Sequence, residues 1–281
     1  MSIAIFINTK AGGGKGISIL PRIEAFLKEH QVKYHIYLDD WCSIENLNSY
    51  INVWLVGGDG TLNYFINKFS NIDIPIGVIK AGTGNDFAWK LYGNTSLDVQ
   101  LELLLKNNII EVDVGNCNNI YFLNGVGVGF DGEILKSMSK IRWLGGHLGY
   151  LLIVIKKIFT YKEKKYSFII NNIKLDEKFL LMSIFNSSRT GGGFHIAPTA
   201  KINDGLLNVI LCKPLSIFKR LINLPKIEKG NHLSLPFIHH HLIKNIRINC
   251  SSNTAAQIDG ELFWAENFKI SIAEKKLKFL V

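Results

Sequence analysis

Short apolar runs alternate with helical patterns in the first 115 or so residues of the chain. Ile3–Ile7 is apolar throughout, which is typical of a strand buried on both faces, whereas Val32–Leu38 alternates apolar and polar positions, as a half-buried strand does. Leucine and isoleucine recur at helical spacing in Leu20–Leu27 and Leu97–Leu105. Further buried strands are predicted at Val53–Val56 and Ile74–Ile79. The alternation of strands and helices predicts a parallel α/β sheet that binds ligands at the carboxyl ends of its strands.

The pattern changes from about residue 118 onward, where short strands follow one another with turn residues between them. The predicted strands are Asn118–Val128, Tyr166–Ile170, Ile173–Leu175, Leu180–Phe185, Leu206–Cys212, Ile243–Asn249 and Phe268–Ile272. Asn171-Asn172 fits a two-residue hairpin turn, and one helix is predicted at about Gly149–Phe159. We therefore predict two domains, an α/β domain over residues 1–117 and an antiparallel β domain over residues 118–281, whose last strand can return to the first domain.

Composition places the chain among globular proteins, with 281 residues, 47% apolar and 20% charged. It excludes a disordered tail, a collagen-like rod and a coiled coil. The four cysteines have no CxxC spacing and are too few for a disulfide scaffold, so a reducing, cytoplasmic location is expected. We find no signal peptide, and the most apolar stretch, Gly149–Ile155, is far shorter than a membrane span.

The net charge of +9 favours anionic partners, among which composition alone does not choose. Nucleotide phosphates, nucleic acid and an acidic membrane face all fit this charge. A nucleic-acid partner is not expected, because lysine and arginine are scattered and no recognition motif accompanies them.

The most informative motif is Val56–Asn63, where a buried strand ends in Gly57-Gly58-Asp59-Gly60-Thr61 and a helix begins near Thr61. Glycines allow close approach of the backbone to a ligand, and the free N–H groups of a helix start attract phosphate. A carboxylate at Asp59 would repel phosphate unless it binds Mg²⁺ or accepts a proton. The alternative is that Asp59 only caps the helix and the glycines only make the turn.

Similar loops follow two other strands of the predicted sheet. Lys80–Ala88 carries Gly82-Thr83-Gly84-Asn85-Asp86, in which Thr83 can donate to phosphate while Asn85 and Asp86 hold the loop or reach substrate. A capped helix start at Asn85 or Asp86 is the alternative. Asn8–Gly16 follows the first strand but is not a Walker A sequence, since Gly16 stands where serine or threonine would bind Mg²⁺. These loops suggest one shared nucleotide cleft, although Asn8–Gly16 alone also fits a flexible loop.

Other motifs in the second half have simpler explanations. Gly127–Gly132 matches GxGxxG by letter only, since no βαβ unit with a ribose-binding acid follows it. Asp204-Gly205 and Asp259-Gly260 fit hairpin turns, unless their carboxylates face a phosphate site. His239–His241 is expected in a solvated loop, because consecutive residues of a regular element cannot all face one metal ion.

Taken together, these motifs resemble the diacylglycerol kinase catalytic-domain family, which includes bacterial lipid kinases and sphingosine kinases. The motifs that carry the resemblance are Gly57–Thr61, Gly82–Ala88, Asn124–Asp131, Gly191–Gly193 with Ala197-Pro198, Asp204–Leu207 and Asp259–Glu261. They lie in the expected order over nearly the whole chain. The first of them is shared with NAD kinases and phosphofructokinase-like proteins, whereas the others in combination are more specific.

The resemblance implies an N-terminal α/β domain with a parallel sheet, similar to phosphofructokinase and NAD kinase, and a C-terminal antiparallel β-sandwich domain, with the active site between them. The residues that it assigns to ATP are Asn8, Thr9, Lys10, Ala11, Gly12, Gly57, Gly58, Asp59, Gly60, Thr61, Leu62, Asn63 and Thr83. It implies a structural Mg²⁺ ion held by the Asp204 side chain and the backbone carbonyls of Lys201 and Leu206. It also implies a proton acceptor, first at Glu261 beside Asp259 and second at Asp59, near the phosphates and the catalytic Mg²⁺.

The chain departs from the family pattern at three places. Asn8-Thr9 replaces the usual Asn-Pro, so the first loop is expected to be less rigid. Asn203-Asp204-Gly205 replaces Asp-Asp-Gly, which removes one carboxylate. No counterpart of the family's threonine after the second strand is evident; Asp39 is nearest, and we assign it no role.

The expected activity is therefore ATP- and Mg²⁺-dependent phosphorylation of a lipid hydroxyl, such as that of diacylglycerol. The alternatives are a soluble nucleotide kinase similar to NAD kinase and a non-catalytic lipid- or nucleotide-binding protein. The expected partners are a lipid with a free hydroxyl and an anionic membrane surface, bound peripherally from the cytoplasm; a homodimer is left open. Lys140–Lys157 fits a membrane-facing helix or an ordinary packing helix.

Overall fold

The structure is a computed structural model, and its contacts divide the chain into two units. It describes residues 2–39, 41, 44, 46–138, 147–170 and 173–281. The predicted turn Asn171-Asn172 and residues 140–146 of the candidate membrane-facing helix lie outside the described residues. The first unit contains Met1–Val112 and Lys275–Val281, and the second contains Asp113–Glu274.

The first unit is an α/β fold around a parallel sheet with strand order β2-β1-β3-β4. Its elements are β1 (Ile3–Ile7), α1 (Lys15–Ser18), α2 (Leu20–Glu29), β2 (Tyr34–Leu38), β3 (Asn52–Gly57), α3 (Asp59–Lys68), β4 (Ile76–Lys80), α4 (Asp86–Tyr92) and α5 (Leu97–Lys106). A short 3-10 turn at Ala11–Gly13 precedes α1. In the register of the central strands, Ile5 lies between Ile36 and Trp54.

Burial along these strands confirms the pattern predicted from the sequence. Every residue of β1 and β3 is buried, whereas the edge strand β2 has only half-buried and exposed positions. The helix α2 packs Ile23, Phe26 and Leu27 against the sheet side of the unit. Because each such side chain contributes about 1.5–3 kcal/mol when it leaves water, this core fixes the strand ends that carry the loops.

The second unit is an antiparallel β-sandwich. Its elements after β5 (Ile109–Cys117) are β6 (Ile120–Phe122), β7 (Gly125–Val128), α6 (Phe130–Met138), α7 (His147–Thr160), β8 (Lys164–Ile170), β9 (Ile173–Phe179), β10 (Leu181–Phe185), β11 (Leu207–Cys212), α8 (Ile217–Glu228), β12 (Ile238–Ile243), β13 (Asn245–Ile258) and β14 (Glu261–Leu280). The strand order is β12-β11-β10-β7-β13-β14, and β8 pairs with β13 and β9. Its core includes Phe122, Phe168, Phe179 and Phe268, all fully buried or nearly so.

The second unit differs from the sequence expectations in two ways. The helix predicted at Gly149–Phe159 is confirmed as α7, but α6 and α8 were not predicted. The sequence pattern conceals α8, because Pro225 lies inside the helix, where proline normally ends one, and because part of its exposed surface is apolar.

The solvated loop expected at His239–His241 is wrong, because these residues lie in β12 and pair with β11. They are half-buried, and a nitrogen of His240 lies 2.9 Å from the side-chain oxygen of Asn208. Burial lowers the pKa of His240 below its usual value. Histidine carries no clear preference for inside or outside, so the alternation of a strand is invisible at these positions.

None of the helices in the described parts of the chain combines the length and the apolar character that crossing a bilayer requires.

Candidate active site

Three loops of the first unit follow the carboxyl ends of β1, β3 and β4, and they contact one another. The side-chain amide of Asn8, after β1, donates a hydrogen bond of 2.9 Å to the Thr61 hydroxyl at the start of α3. Gly12 packs so closely against the loop after β4 that a Cβ there would lie 2.2 Å from the Ala81 carbonyl oxygen. The strand ends therefore bring residues distant in sequence to one edge of the sheet, where α/β folds bind ligands.

The loops after β3 and β4 approach through two glycines. A Cβ built on Gly82 would lie 2.4 Å from the Gly58 Cα atom, and a Cβ on Gly58 would lie 2.8 Å from the Gly82 Cα atom. A side chain at either position would push the loops apart. The glycines are therefore required for backbone contact between the loops, and the turn explanation alone does not account for them.

Asp59 joins the same two loops through its carboxylate. Its oxygens accept hydrogen bonds of 2.9 Å from the backbone N–H groups of Asp86 and Phe87, at the start of α4. Asp59 thus caps a helix, but the neighbouring α4 and not its own helix α3. The carboxylate carries favourable charge for the amino-terminal end of α4 and has a fixed orientation.

The loop after β4 is closed by its own asparagine. Asn85, at φ +51, accepts a hydrogen bond of 2.8 Å from the Gly82 N–H and donates one of 2.7 Å to the Gly82 carbonyl. This confirms the expectation that Asn85 can hold the loop. Thr83 lies between these residues and is exposed, so its hydroxyl is accessible to a ligand.

Asp39 holds the first loop, at the position where the sequence suggested no role. Its carboxylate accepts the Thr9 backbone N–H at 2.8 Å and also the Thr9 hydroxyl. These hydrogen bonds lower the pKa of Asp39 below its usual value. Proline at position 9 would have no N–H to donate to Asp39. In this chain the hydrogen bonds between Thr9 and Asp39 restrain the loop, whereas in the family pattern a proline ring does so.

The candidate metal loop of the second unit runs from Lys201 to Leu206. The Asp204 carboxylate is exposed and accepts the Leu206 N–H at 3.1 Å, which folds the loop into a tight turn. This turn precedes β11 but is not a two-residue hairpin, contrary to the simpler explanation of Asp204-Gly205. Gly205 donates its N–H to the buried carboxylate of Asp113, at 2.6 Å, so the loop is anchored to the middle of β5.

Asp259-Gly260 is the two-residue hairpin turn between β13 and β14, as its dipeptide suggested. The buried carboxylate of Asp259 accepts three backbone N–H groups, from Leu123, Asn124 and Gly125, at 2.7, 2.9 and 2.9 Å. Glu261 is exposed and begins β14 directly after this turn. The aspartate therefore fixes the hairpin, while the glutamate is accessible.

A buried asparagine connects the metal loop to this hairpin. Asn186 donates its amide hydrogens to the Asp113 carbonyl at 2.9 Å and to the Leu123 carbonyl at 3.1 Å. Asp113 in turn holds Gly205, and Leu123 donates to Asp259. Within the second unit, the two predicted acidic loops thus share one hydrogen-bond network.

The second unit also contains an apolar cavity. Its volume is about 60 Å³. The residues that line it are Phe130, Asp131, Ile134, Val154, Ile158, Leu180, Leu181, Phe194, Ile196, Cys212, Leu215, Arg220, Asn223, Leu224 and Ile227. Burial raises the pKa of Asp131 to about 6, against a weaker opposing effect of the hydrogen bond of 3.0 Å from the Ser183 hydroxyl. Such a cavity suits the hydrocarbon part of a ligand.

The predicted ATP residues of the first unit are brought together by the three loops, but not all of them by their side chains. Leu62 is buried in the core and Asn63 is buried on α3, where it bonds with Asn67. These two residues can reach a ligand only through their backbone. The residues of the second unit, Lys201, Asp204, Leu206, Asp259 and Glu261, lie in the two connected loops described above.

Sequence reasoning missed Asp113, Asn186 and Asp131. Asp113 lies in the middle of β5 and Asn186 directly follows β10; both are buried and polar, which is a usable signal, because buried polar groups require partners. Asp131 lies in the GxGxxG segment that was set aside, and there Gly127 leaves room for its carboxylate. Within the described residues, no group of three or more histidine, cysteine, aspartate or glutamate residues is arranged to hold a metal ion.

Comparison with known proteins agrees with both units. Residues 2–117 match the family model described as the diacylglycerol kinase catalytic domain, and residues 124–281 match the YegS C-terminal NAD kinase beta sandwich-like domain. A protein of Shewanella frigidimarina named "Probable lipid kinase YegS-like" is 26% identical over 231 residues, 80% of this chain and 74% of the relative. A protein of Mycobacterium tuberculosis named "Diacylglycerol kinase" is 26% identical over 206 residues, 70% of this chain and 66% of the relative.

The fold is also that of a solved structure. The crystal structure of a diacylglycerol kinase from Bacillus anthracis superposes with a TM-score of 0.80 and 22% identity, over 99% of this chain and 96% of the other. At this identity the likeness concerns the fold alone.

Proposed function

Because the chain belongs to the diacylglycerol kinase family of lipid kinases, which transfer a phosphoryl group to an alcohol, we propose that it transfers the γ-phosphoryl group of ATP to the hydroxyl of a lipid, with Mg²⁺ as the metal. Diacylglycerol is the first substrate to test. The apolar lining of the cavity in the second unit is the observation that supports a lipid acceptor most directly, because a water-soluble acceptor would favour polar side chains there.

The residues of the first unit fit a nucleotide polyphosphate. Three loops at one sheet edge present backbone N–H groups and the start of α3, where phosphate binds readily. The contact of Gly58 with Gly82 leaves no side chains in the way, and Thr83 adds an exposed hydroxyl. In this proposal Asn8–Gly12, Gly57–Asn63 and Thr83 bind and orient the phosphates, and ATP supplies the transferable phosphoryl group when bound.

The donor set of the metal loop fits Mg²⁺. The exposed Asp204 carboxylate and the backbone carbonyls of Lys201 and Leu206 are oxygen ligands, which Mg²⁺ prefers, and one carboxylate with several waters is a common arrangement. When bound there, Mg²⁺ would act as a structural ion that stabilises this loop. Asp113 and Asn186 would keep the loop in place through the hydrogen bonds described above.

Glu261 is the proposed proton acceptor. It is exposed, it is not tied by backbone hydrogen bonds as Asp259 is, and it begins β14 directly beyond a turn that Asp259 fixes. Asp259 then acts as a positioning group. Asp59, which bonds the start of α4, is proposed to orient the phosphate loops and to lie near the catalytic metal. That Asp59 and Glu261 share one cleft remains a prediction.

Peripheral membrane association is part of the proposal. The described part of the candidate membrane-facing segment, in α7, exposes Leu152 and Phe159 with Lys156 between them on the same helix side. Apolar side chains beside lysine are typical of helices that lie on anionic lipid surfaces. A lipid substrate in a bilayer would require such contact.

The direct test is transfer from labelled ATP with Mg²⁺ to a panel of lipids in mixed micelles. The panel contains diacylglycerol, monoacylglycerol, a sphingoid base and phosphatidylglycerol, and NAD without detergent serves as the soluble acceptor. A labelled phospholipid supports the proposal. Phosphorylation of NAD alone would replace it with a nucleotide kinase, and ATP binding without transfer to any acceptor would favour a non-catalytic binding protein.

A further inference from the structure

The helix α8 exposes apolar side chains that its packing does not need. Phe218 is 72% exposed, Ile222 is 53% exposed and Ile217 is 42% exposed. Phe218 and Ile222 are four residues apart and therefore lie on the same side of the helix. We call Ile217, Phe218 and Ile222 the outer face of α8.

Other residues of α8 pack inward. Leu221 and Leu224 contact the cluster formed by α6 and α7, and Asn223, Leu224 and Ile227 line the apolar cavity. The outer face is therefore an additional apolar surface, on a helix that already has a core-facing side. A surface helix normally presents polar residues there.

Arg220 holds α8 in a fixed position. Its guanidinium donates to the backbone oxygens of Leu215, Ile158 and Tyr161 and forms an ion pair with Glu163. The arginine is buried and its charge is compensated. The outer face therefore lies on a helix that is held firmly against the end of α7. Its apolar side chains are exposed although the helix itself is well packed.

Exposed lysines surround the outer face. Lys219 and Lys226 lie on α8, while Lys213 precedes the helix and Lys229 follows it. All four are exposed, and Glu228 is the one acidic residue of α8. Positive charge next to apolar side chains complements an anionic lipid surface, where each lysine contributes about 1 kcal/mol.

We propose that the outer face of α8 docks on an anionic lipid bilayer, with Phe218 and Ile222 entering the interface and the lysines contacting lipid phosphates. The inference deepens the proposed function and rests on it, because the helix that would lie on the bilayer is also a wall of the cavity assigned to the lipid.

The experiment measures binding of the full chain to sedimented vesicles of phosphatidylglycerol and phosphatidylcholine, 1:1. Phe218→Ser with Ile222→Ser should weaken binding at least about tenfold, because two apolar side chains no longer leave water. Lys219→Gln with Lys226→Gln should weaken it by a similar factor, and the loss should disappear in high salt. Neither pair lines the cavity, so turnover of a dispersed short-chain diacylglycerol should be unchanged, while turnover of long-chain diacylglycerol in vesicles should fall.

The matched control is Ile169→Ser, which removes an isoleucine that is 62% exposed on β8 of the same unit. It should bind vesicles as the unmodified chain does. Equal binding by the Phe218/Ile222 variant, or an equal loss in the control, overturns the inference. A change from dimer to monomer in light scattering with unchanged vesicle binding also overturns it and assigns the face to a second copy of the chain. Because vesicle binding needs no turnover, a failure of the lipid kinase proposal would be seen separately in the transfer assay.

Discussion

Glu261 and Asp259 are two acids, separated by one residue, that lie in different environments. Asp259 is buried and accepts three backbone N–H groups, so its lone pairs are used to hold the turn. Glu261 is exposed at the start of β14. A proton acceptor must be able to reach the substrate hydroxyl, which favours the glutamate.

Glu261→Gln should lower kcat at least about 100-fold, because general-base catalysis typically contributes that much or more, while the KM for ATP stays nearly constant. Steady-state kinetics with diacylglycerol in micelles measures both. Glu266→Gln is the matched control, since Glu266 is an exposed glutamate on the same strand. Near-normal turnover of Glu261→Gln would remove the assigned role.

Asp131 provides a pH-dependent prediction. Its pKa is raised to about 6 by burial, so the folded state binds its proton more tightly than the unfolded state, whose carboxyl has a pKa of about 4. The contribution of Asp131 to the free energy of unfolding is therefore highest below pH ~4, falls as the pH rises from ~4 to ~6, and stays reduced above that range.

Asp131→Asn removes this charge with little change of shape. It should increase the free energy of unfolding at pH 8 by roughly 1–3 kcal/mol and change it much less at pH 4. Urea unfolding at the two pH values measures the difference. If Asp131→Asn lowers the free energy of unfolding equally at pH 4 and pH 8, the carboxylate is needed for packing or hydrogen bonding. Its buried charge then does not destabilise the fold.

At the scale of elements, the loops after parallel strands are held by contacts that differ from loop to loop. The loop after β4 is closed by its own Asn85, the loop after β3 is joined to α4 by Asp59, and the loop after β1 is held by Asp39 from the end of β2. The last of these compensates for the absence of proline at position 9.

Asp39→Ala should raise the KM for ATP by about tenfold, because the first loop loses two hydrogen bonds to a charged group, and should leave kcat less affected. Asp39→Asn, which keeps an acceptor oxygen for the Thr9 N–H and tolerates the φ of +46 at this position, should recover most of the loss. Asp98→Ala, which removes an exposed acid paired with Arg22 in the same unit, is the control. If the single Asp39 variant binds ATP normally, the loop does not depend on this interaction.

At the scale of the whole molecule, the chain leaves the first unit in β5 and returns to it in the last part of β14. Phe279 pairs with Ile76 of β4 and packs against Phe87. Phe279 and Leu280 are fully buried, and Lys275 donates to the Ser70 carbonyl at 2.7 Å. The N-terminal unit is therefore completed by the C-terminal residues of the chain.

Phe279→Ala should destabilise the first unit by about 3–5 kcal/mol, the usual cost of removing a buried phenylalanine side chain. Thermal or urea unfolding, followed with ATP-binding as a second readout, measures the loss. Phe218→Ala is the control, since Phe218 is largely exposed. Equal stability of the two variants would mean that the C-terminal segment does not complete the core of the first unit.

The sequence by itself determined the fold class, the positions of the buried strands and the glycine loops that follow them, because hydrophobic periodicity and glycine content act locally along the chain. Only the tertiary structure decided which polar groups meet. Gly205 and Asp113 are 92 positions apart, and Asn124 and Asp259 are 135 positions apart, so their contacts depend on strand order and register. The structure also shows which apolar residues of α8 are exposed and which pack inward. The sequence does not distinguish the two groups, because both consist of the same types of residue.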